Sequence, residues 1–121
     1  CGRQGPASLE ECPHWFRRLW HAQAEWLEKG LGASTADWQI VVTHFPPNHG
    51  QHFWTLLAQQ YGIDLIVTGH RHQQEVHYQE DGNFLWPTAY VVSGGGGGIT
   101  SEDVPDVDGH DDQYGFMDLT L

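Results

Sequence analysis

The sequence predicts an α/β fold, and three observations carry that prediction. Two short apolar runs rich in Ile and Val, Asp37–Thr43 and Ile63–Thr68, bracket a helical pattern over His52–Tyr61. Strand, helix and strand in about thirty residues read as a parallel βαβ unit, because parallel neighbours need a crossover of that size. Ahead of this unit, Phe16, Leu19, Trp20, Ala24, Leu27 and Leu31 recur at helical spacing. Behind it, Gln73–Gln79 and Pro87–Ser93 flank the turn signal Glu80-Asp81-Gly82-Asn83, which predicts mostly antiparallel strands after the βαβ unit.

Taken in order, residues 1–7 carry Gly2, Gly5 and Pro6 and read as irregular. Ser8-Leu9-Glu10-Glu11 has the form of a capping box, with Pro13 close behind, so the first helix begins at one or the other. Arg17, Arg18, Glu25 and Glu28 fall on its polar side, and the helix is expected to pack on a sheet. Gly30 and Gly32 are expected to stop it. The run to Thr43 is continuous enough in apolar residues to predict a strand buried on both faces. Pro46-Pro47 closes it and opens a loop with Asn48, His49 and Gly50. In the second helix, Phe53, Leu56, Leu57 and Tyr61 form the predicted buried stripe, and Gly62 ends it. Five glycines, Gly94–Gly98, follow the Pro87–Ser93 run. Residues 101–112 hold six carboxylates and little that can pack, so they read as a solvated loop. Met117, Leu119 and Leu121 alternate with polar residues, as in a half-buried terminal strand.

The chain has 121 residues, enough for one domain at most, with 39% hydrophobic residues and six Trp to build a core. It opens on Cys1 rather than Met, which suggests a processed chain or a fragment. No apolar run nears the ~18 residues that span a bilayer. The net charge is −11, and after Lys29 the only basic residue is Arg71. Such a chain is repelled by nucleic acid and by anionic membrane surfaces. Bound metal ions would still let an acidic protein act on phosphates, by reversing the local field. Cys1 and Cys12 leave the redox compartment open.

The nine histidines are the unusual count. His44 follows the first strand of the βαβ unit and His70 and His72 follow the second. In extended backbone, residues two apart point the same way. Two adjacent parallel strands would therefore bring three imidazoles to one sheet edge, beyond the strands' carboxyl ends, where open α/β sheets place their sites. Imidazole suits Zn, Fe and Mn. The three can fill one zinc site, or be shared between two metals if carboxylates supply the rest. Arg71, between the two histidines, is expected to point away and pair with a nearby carboxylate. His14, His21, His77 and His110 read as structural or surface residues. The glycine run lacks the Lys-Ser/Thr of a P-loop. Asp106–Asp112 is a poor calcium loop, since position twelve falls on Met117.

Gly69-His70-Arg71-His72 after an apolar strand resembles the closing GHxH motif of the calcineurin-like metallophosphoesterases. Val41-Val42-Thr43-His44-Phe45-Pro46 resembles the VVxHxP motif that precedes it in that family. Trp26-Leu27-Glu28-Lys29, Ala36-Asp37-Trp38-Gln39-Ile40 and Val91-Val92-Ser93-Gly94 look like segments of the purple-acid-phosphatase branch. The resemblance covers roughly residues 20–121. It implies a β-sandwich flanked by helices, and a phosphomonoester hydrolase working through two divalent or trivalent metal ions (Fe, Zn or Mn). It further implies that His44 and His70 bind one metal and His72 the other, and that His52 contacts the substrate phosphate. The family's Asp-x-His, Gly-Asp-x-x-Asp/Tyr and Gly-Asn-His motifs do not stand upstream of His44. The expectation is thus that residues 1–121 are the C-terminal half of the family domain, with the acid/base histidine elsewhere, inactive alone and inclined to self-associate. Two alternatives stay open: a non-enzymatic metal-binding or scaffold domain, and a mononuclear zinc site.

Overall fold

A computed structural model of the protein describes residues 4–79, 82–96 and 114–121. The chain divides into two units, Cys1–Thr35 and Ala36–Leu121. In the first, helix α1 spans Cys12–Ala33. The capping pattern is real but lies one turn ahead of the helix. Glu11 N–H donates to Ser8 Oγ at 3.2 Å, and Glu11 Oε2 accepts from Ala7 N–H at 2.7 Å. Gly30 and Gly32 do not stop α1. A helical glycine costs about 1 kcal/mol but keeps its N–H, unlike proline, and the helix runs on until Ser34 N–H closes on Leu31 O. No residue of α1 is buried, and Trp26 is 71% exposed.

The second unit holds β1 (Ile40–Val42), α2 (Gln51–Tyr61), β2 (Leu65–Thr68), β3 (Gln74–His77) and β4 (Ala89–Ser93). The strands form one mixed sheet in the order β1-β2-β4-β3. β1 and β2 pair in parallel across α2, as the βαβ pattern requires. β4 is parallel to β2 and antiparallel to β3. The α/β class therefore holds, with antiparallel pairing confined to β3–β4 among the described residues. Each strand is shorter than its apolar run, because only the paired residues extend.

Register decides which side chains are buried. Val41, Ile66 and Tyr90 stand side by side, as do Thr68 and Val92, and all five are buried. Their neighbours along each strand point the other way. There Val42, Val67, Val91 and Val76 form one row across all four strands. Val42 is 76% and Val76 68% exposed. This corrects the expectation of a first strand buried on both faces: among the described residues, the sheet is buried on one.

Helix α2 contributes Trp54, Leu57 and Ala58 to the core. The predicted stripe was displaced: Leu56 is half exposed and Trp54 takes the place assigned to it. Gly62 ends α2 in the left-handed region, φ 70°. In the β3–β4 connection, Asn83 is buried. Its Nδ2 donates to Tyr78 O at 2.9 Å and Thr88 O at 3.2 Å, and its Oδ1 accepts from Leu85 N–H at 3.1 Å. Residues 114–121 form no strand, and Leu119 and Leu121 are exposed, so the terminal alternation reflects no ladder. The acidic 101–112 segment, the weak calcium loop, Cys1 and His110 lie outside the described residues.

Candidate metal centre

β1 and β2 end level with each other, which brings the two loops that follow them together. Thr43 N–H still donates to Val67 O at 3.0 Å, and Gly69 N–H donates to His44 O at 3.1 Å. Beyond that bond the imidazoles meet: His44 Nε2 lies 3.3 Å from His70 Nδ1. His70 reaches this position with φ 63°, in the left-handed region that non-glycine residues rarely occupy. The extended-backbone argument for His70 and His72 is thereby corrected. A left-handed residue, not strand alternation, sets the direction of the first histidine. Such backbone outliers cluster at functional sites.

Pro46 and Pro47 are fully buried, and Pro47–Gly50 is a 3-10 turn. His49 N–H donates to Pro46 O at 3.0 Å. The turn brings the His49 ring to 5.2 Å from His70 and 5.4 Å from Phe45. Phe45 in turn lies 4.7 Å from His44 and 4.6 Å from His70. The cluster is therefore His44, His70, His49 and Phe45. His52, the favoured substrate residue in the sequence, is exposed in the first turn of α2, and none of these ring contacts includes it. The Pro-Pro-Asn-His order was the available signal for His49, since a proline pair followed by Asn favours a tight turn.

The pKa of His70 lies below its ordinary value, first because the ring is partly desolvated, then through the charges of His44, His49, His72 and Arg71. His72 is thus near enough to be felt by His70. Neutral imidazole is the form that binds metal. Two nitrogens bound to one ion at about 2.0–2.1 Å stand roughly 3 Å or a little more apart, so the 3.3 Å separation fits a shared ion. Among the described residues, no group of three or more His, Cys, Asp or Glu is arranged to hold a metal. The donors in contact are imidazoles only.

Arg71 pairs with a nearby carboxylate, as expected. Its Nη1 donates to both oxygens of Glu75, at 2.8 and 2.6 Å, and its Nη2 to Asn48 Oδ1 at 3.0 Å. Gln73 Nε2 and His77 Nε2 also meet the Glu75 carboxylate, at 2.5 and 2.7 Å. His77 stacks on Tyr90 with ring centres 4.2 Å apart, a structural role in keeping with its sequence assignment. Burial raises the Glu75 pKa, but hydrogen bonds from His77, Arg71 and Gln73 and the Arg71 charge more than offset it, and the net value is lowered. A depressed carboxyl stabilises fully above the unfolded value of about 4.3 and loses that stabilisation as pH falls through the folded value. The melting temperature of wild type is therefore expected to exceed that of Glu75→Gln at pH 6, and the difference to shrink below about pH 4. A difference that stays constant from pH 6 to pH 2 would refute this.

A cavity of about 500 Å³ lies at the opposite edge of the sheet. Ile40, Leu65 and Ala89, the first residues of the three parallel-paired strands, line it with Trp38, Phe84 and Trp86, and no histidine does.

Parallel strands with histidines just past their carboxyl ends, two of them 3.3 Å apart, put the candidate site where open α/β sheets place theirs. Comparison with protein families matches residues 10–74 to the calcineurin-like phosphoesterases, more than half of the chain and both histidine motifs. The chain belongs to the calcineurin-like phosphoesterase family. No curated protein matches it. None of the described helices is long and apolar enough to cross a membrane.

Proposed function

We propose that residues 1–121 are the C-terminal part of a calcineurin-like domain that hydrolyses phosphoric esters, phosphomonoesters first, with two divalent or trivalent metal ions. The observation that carries this reading is the meeting of His44 Nε2 and His70 Nδ1 beyond the parallel strand ends, within the matched residues. In this reading His44 and His70 hold one ion and His72 the other, with Fe, Zn or Mn as candidates. When bound, such ions supply hydroxide near neutral pH and neutralise phosphoryl oxygens.

The chain's own residues do the rest. The lowered pKa of His70 favours the neutral ring, the form that binds metal. Phe45 packs against the His44 and His70 rings and limits their rotation. His49 stands at the same edge, where a ring N–H can donate to a phosphate oxygen; His52 is the alternative for that role. Placement in the purple-acid-phosphatase branch rests on the segments around Ala36–Ile40 and Val91–Gly94.

Titration of the chain with Zn²⁺ tests the reading. Wild type is expected to bind, and His44→Ala or His70→Ala to weaken binding at least about 100-fold. Unchanged affinity in both variants would sink it. The chain alone is expected not to turn over p-nitrophenyl phosphate with any of these metals, because it shows no bridging carboxylate motif upstream of His44. Metal-dependent turnover would overturn that part. The second reading, a non-enzymatic metal-binding module, draws on the all-imidazole donor set; it predicts Zn²⁺ binding without turnover even when the upstream sequence is restored. Self-association of the chain is supported by the two exposed ends of the valine row, Val42 on the edge strand β1 and Val76 on the edge strand β3.

A further inference from the structure

We infer that Glu75 is the positioning residue of the Gly69–Gln73 loop, acting through Arg71 to hold the backbone between His70 and His72 and to join it to the His49 turn. The proposal rests on the reading of these histidines as ligands, but its geometry concerns the loop itself.

Glu75 pairs with Val92 across the β3–β4 ladder, so its side chain leaves the sheet on the same face as the buried Val92 and Thr68. Only 13% of it is exposed. A carboxylate on that face is costly unless fully partnered. Its partners are distinctive in their placement. Arg71 and Gln73 belong to the histidine loop, while His77 belongs to β3. The carboxylate thus ties the loop to the sheet by side chains from both of its halves.

Arg71 extends the tie. The guanidinium offers five donors in a rigid plane, and it spends Nη1 on Glu75 and Nη2 on Asn48. Asn48 lies in the 3-10 turn beside His49. The result is a clamp running from β3 through the residue between the two histidines to the turn that presents a third. Backbone bonds complete the frame: Gly69 N–H to His44 O at 3.1 Å, and Gly94 N–H to Gln73 O at 3.0 Å. Arg71 N–H also donates to Gly69 O at 2.7 Å, and Gly94 packs against the Arg71 carbonyl; the clamp adds the side-chain tie to β3 and to the His49 turn. Holding His70 at φ 63° requires surroundings that over-determine it.

A merely structural Glu75 would contribute to global stability and leave the loop alone. The test therefore reads the loop directly, in the metal-free full chain. Amide hydrogen exchange at Gly69–Gln73 and the imidazole resonances of His44, His49 and His70 are compared between wild type and Glu75→Gln, at a pH where both are folded. The expected result is at least tenfold faster exchange in the loop, shifted His70 and His49 resonances, and unchanged exchange in α2. Arg71→Lys, which cannot bridge Glu75 and Asn48 at once, is expected to loosen the loop as well; this variant also serves if Glu75→Gln does not fold. The exchanged pair Glu75→Arg with Arg71→Glu is expected to recover part of the protection. Identical loop exchange and resonances in wild type, Glu75→Gln and Arg71→Lys would overturn the proposal. So would uniform loss of protection across the sheet, the mark of a purely structural role.

Zn²⁺ titration supplies the second readout. Partners that orient metal ligands are worth roughly 10–100-fold in affinity, so Glu75→Gln is expected to weaken Zn²⁺ by that factor. Failure of wild type to bind Zn²⁺, with the loop still loosened by the variant, refutes the metal reading and supports the positioning role. Unchanged Zn²⁺ affinity in a loosened loop overturns the claim that the clamp positions ligands.

Discussion

Replacing Gly94 by alanine is expected to be the most damaging small change near the site. A Cβ built at Gly94 would lie 1.7 Å from Arg71 O, 2.8 Å from Arg71 C and 3.4 Å from His72 Cα. Those atoms are backbone, and they belong to the segment that joins His70 to His72. No rotamer change relieves the overlap; either β4 or the histidine loop must move by more than an ångström. Overpacking of this kind costs about 3 kcal/mol or more, roughly a 10 °C fall in melting temperature for a domain of this size. Zn²⁺ affinity is expected to fall with it, because the displaced atoms carry His72. Gly96→Ala is the control. No atom of the described residues lies within 4 Å of a Cβ there, and its melting temperature and Zn²⁺ affinity should match wild type. Equal behaviour of the two variants would show that the close approach is not a constraint.

The second large effect is expected at Asn83→Ala. This side chain makes three hydrogen bonds inside the β3–β4 connection, and removing it takes a donor from the Thr88 and Tyr78 carbonyls and the acceptor from the Leu85 N–H. Each buried group left without a partner costs about 1–3 kcal/mol. A total near 3 kcal/mol follows if part of the set finds water. The neighbouring Thr88 hydroxyl donates to Ile63 O at 2.6 Å, so loosening the connection also disturbs the entry to β2. Thermal unfolding of Asn83→Ala and Asn83→Asp decides the matter. Both should be strongly destabilised, the aspartate more so as pH rises and its charge is buried. A loss below about 0.5 kcal/mol in both, the level of an ordinary surface substitution, would contradict the role given to Asn83.

Much of the architecture was legible because it depends on local pattern. Apolar runs of five to seven residues separated by a helical stripe could form little other than a βαβ unit. Gly62 ended α2 as predicted, since a left-handed cap favours glycine. Two kinds of miss occurred: some concerned a quantity set by partners distant in sequence, and one was local. Gly30 and Gly32 resemble Gly62 in composition, yet α1 runs through both of them, so the residue type alone does not end a helix. Leu56 and Trp54 are both apolar within α2, and helical spacing alone permits either on the buried side. The Met117–Leu121 alternation has the form of a strand but no ladder to join.

The site divides along the same line. The sequence by itself determined that His44, His70 and His72 follow the two parallel strands, because strand ends and residue spacing are local properties. It also indicated that Arg71 pairs with a nearby carboxylate. Only the tertiary structure decided that His70 takes a left-handed backbone, that the Pro46-Pro47 turn folds His49 against it, and that Gly94 passes within contact of the Arg71 backbone. It alone put Glu75 on the buried face, opposite Val92, where its charge needs the partners it finds. The physical reason is register. A slip of one residue in any ladder would exchange Val41, Ile66 and Tyr90 for the valine row and turn Glu75 to the other face. No composition or spacing within a single strand specifies which pairing the assembled sheet adopts.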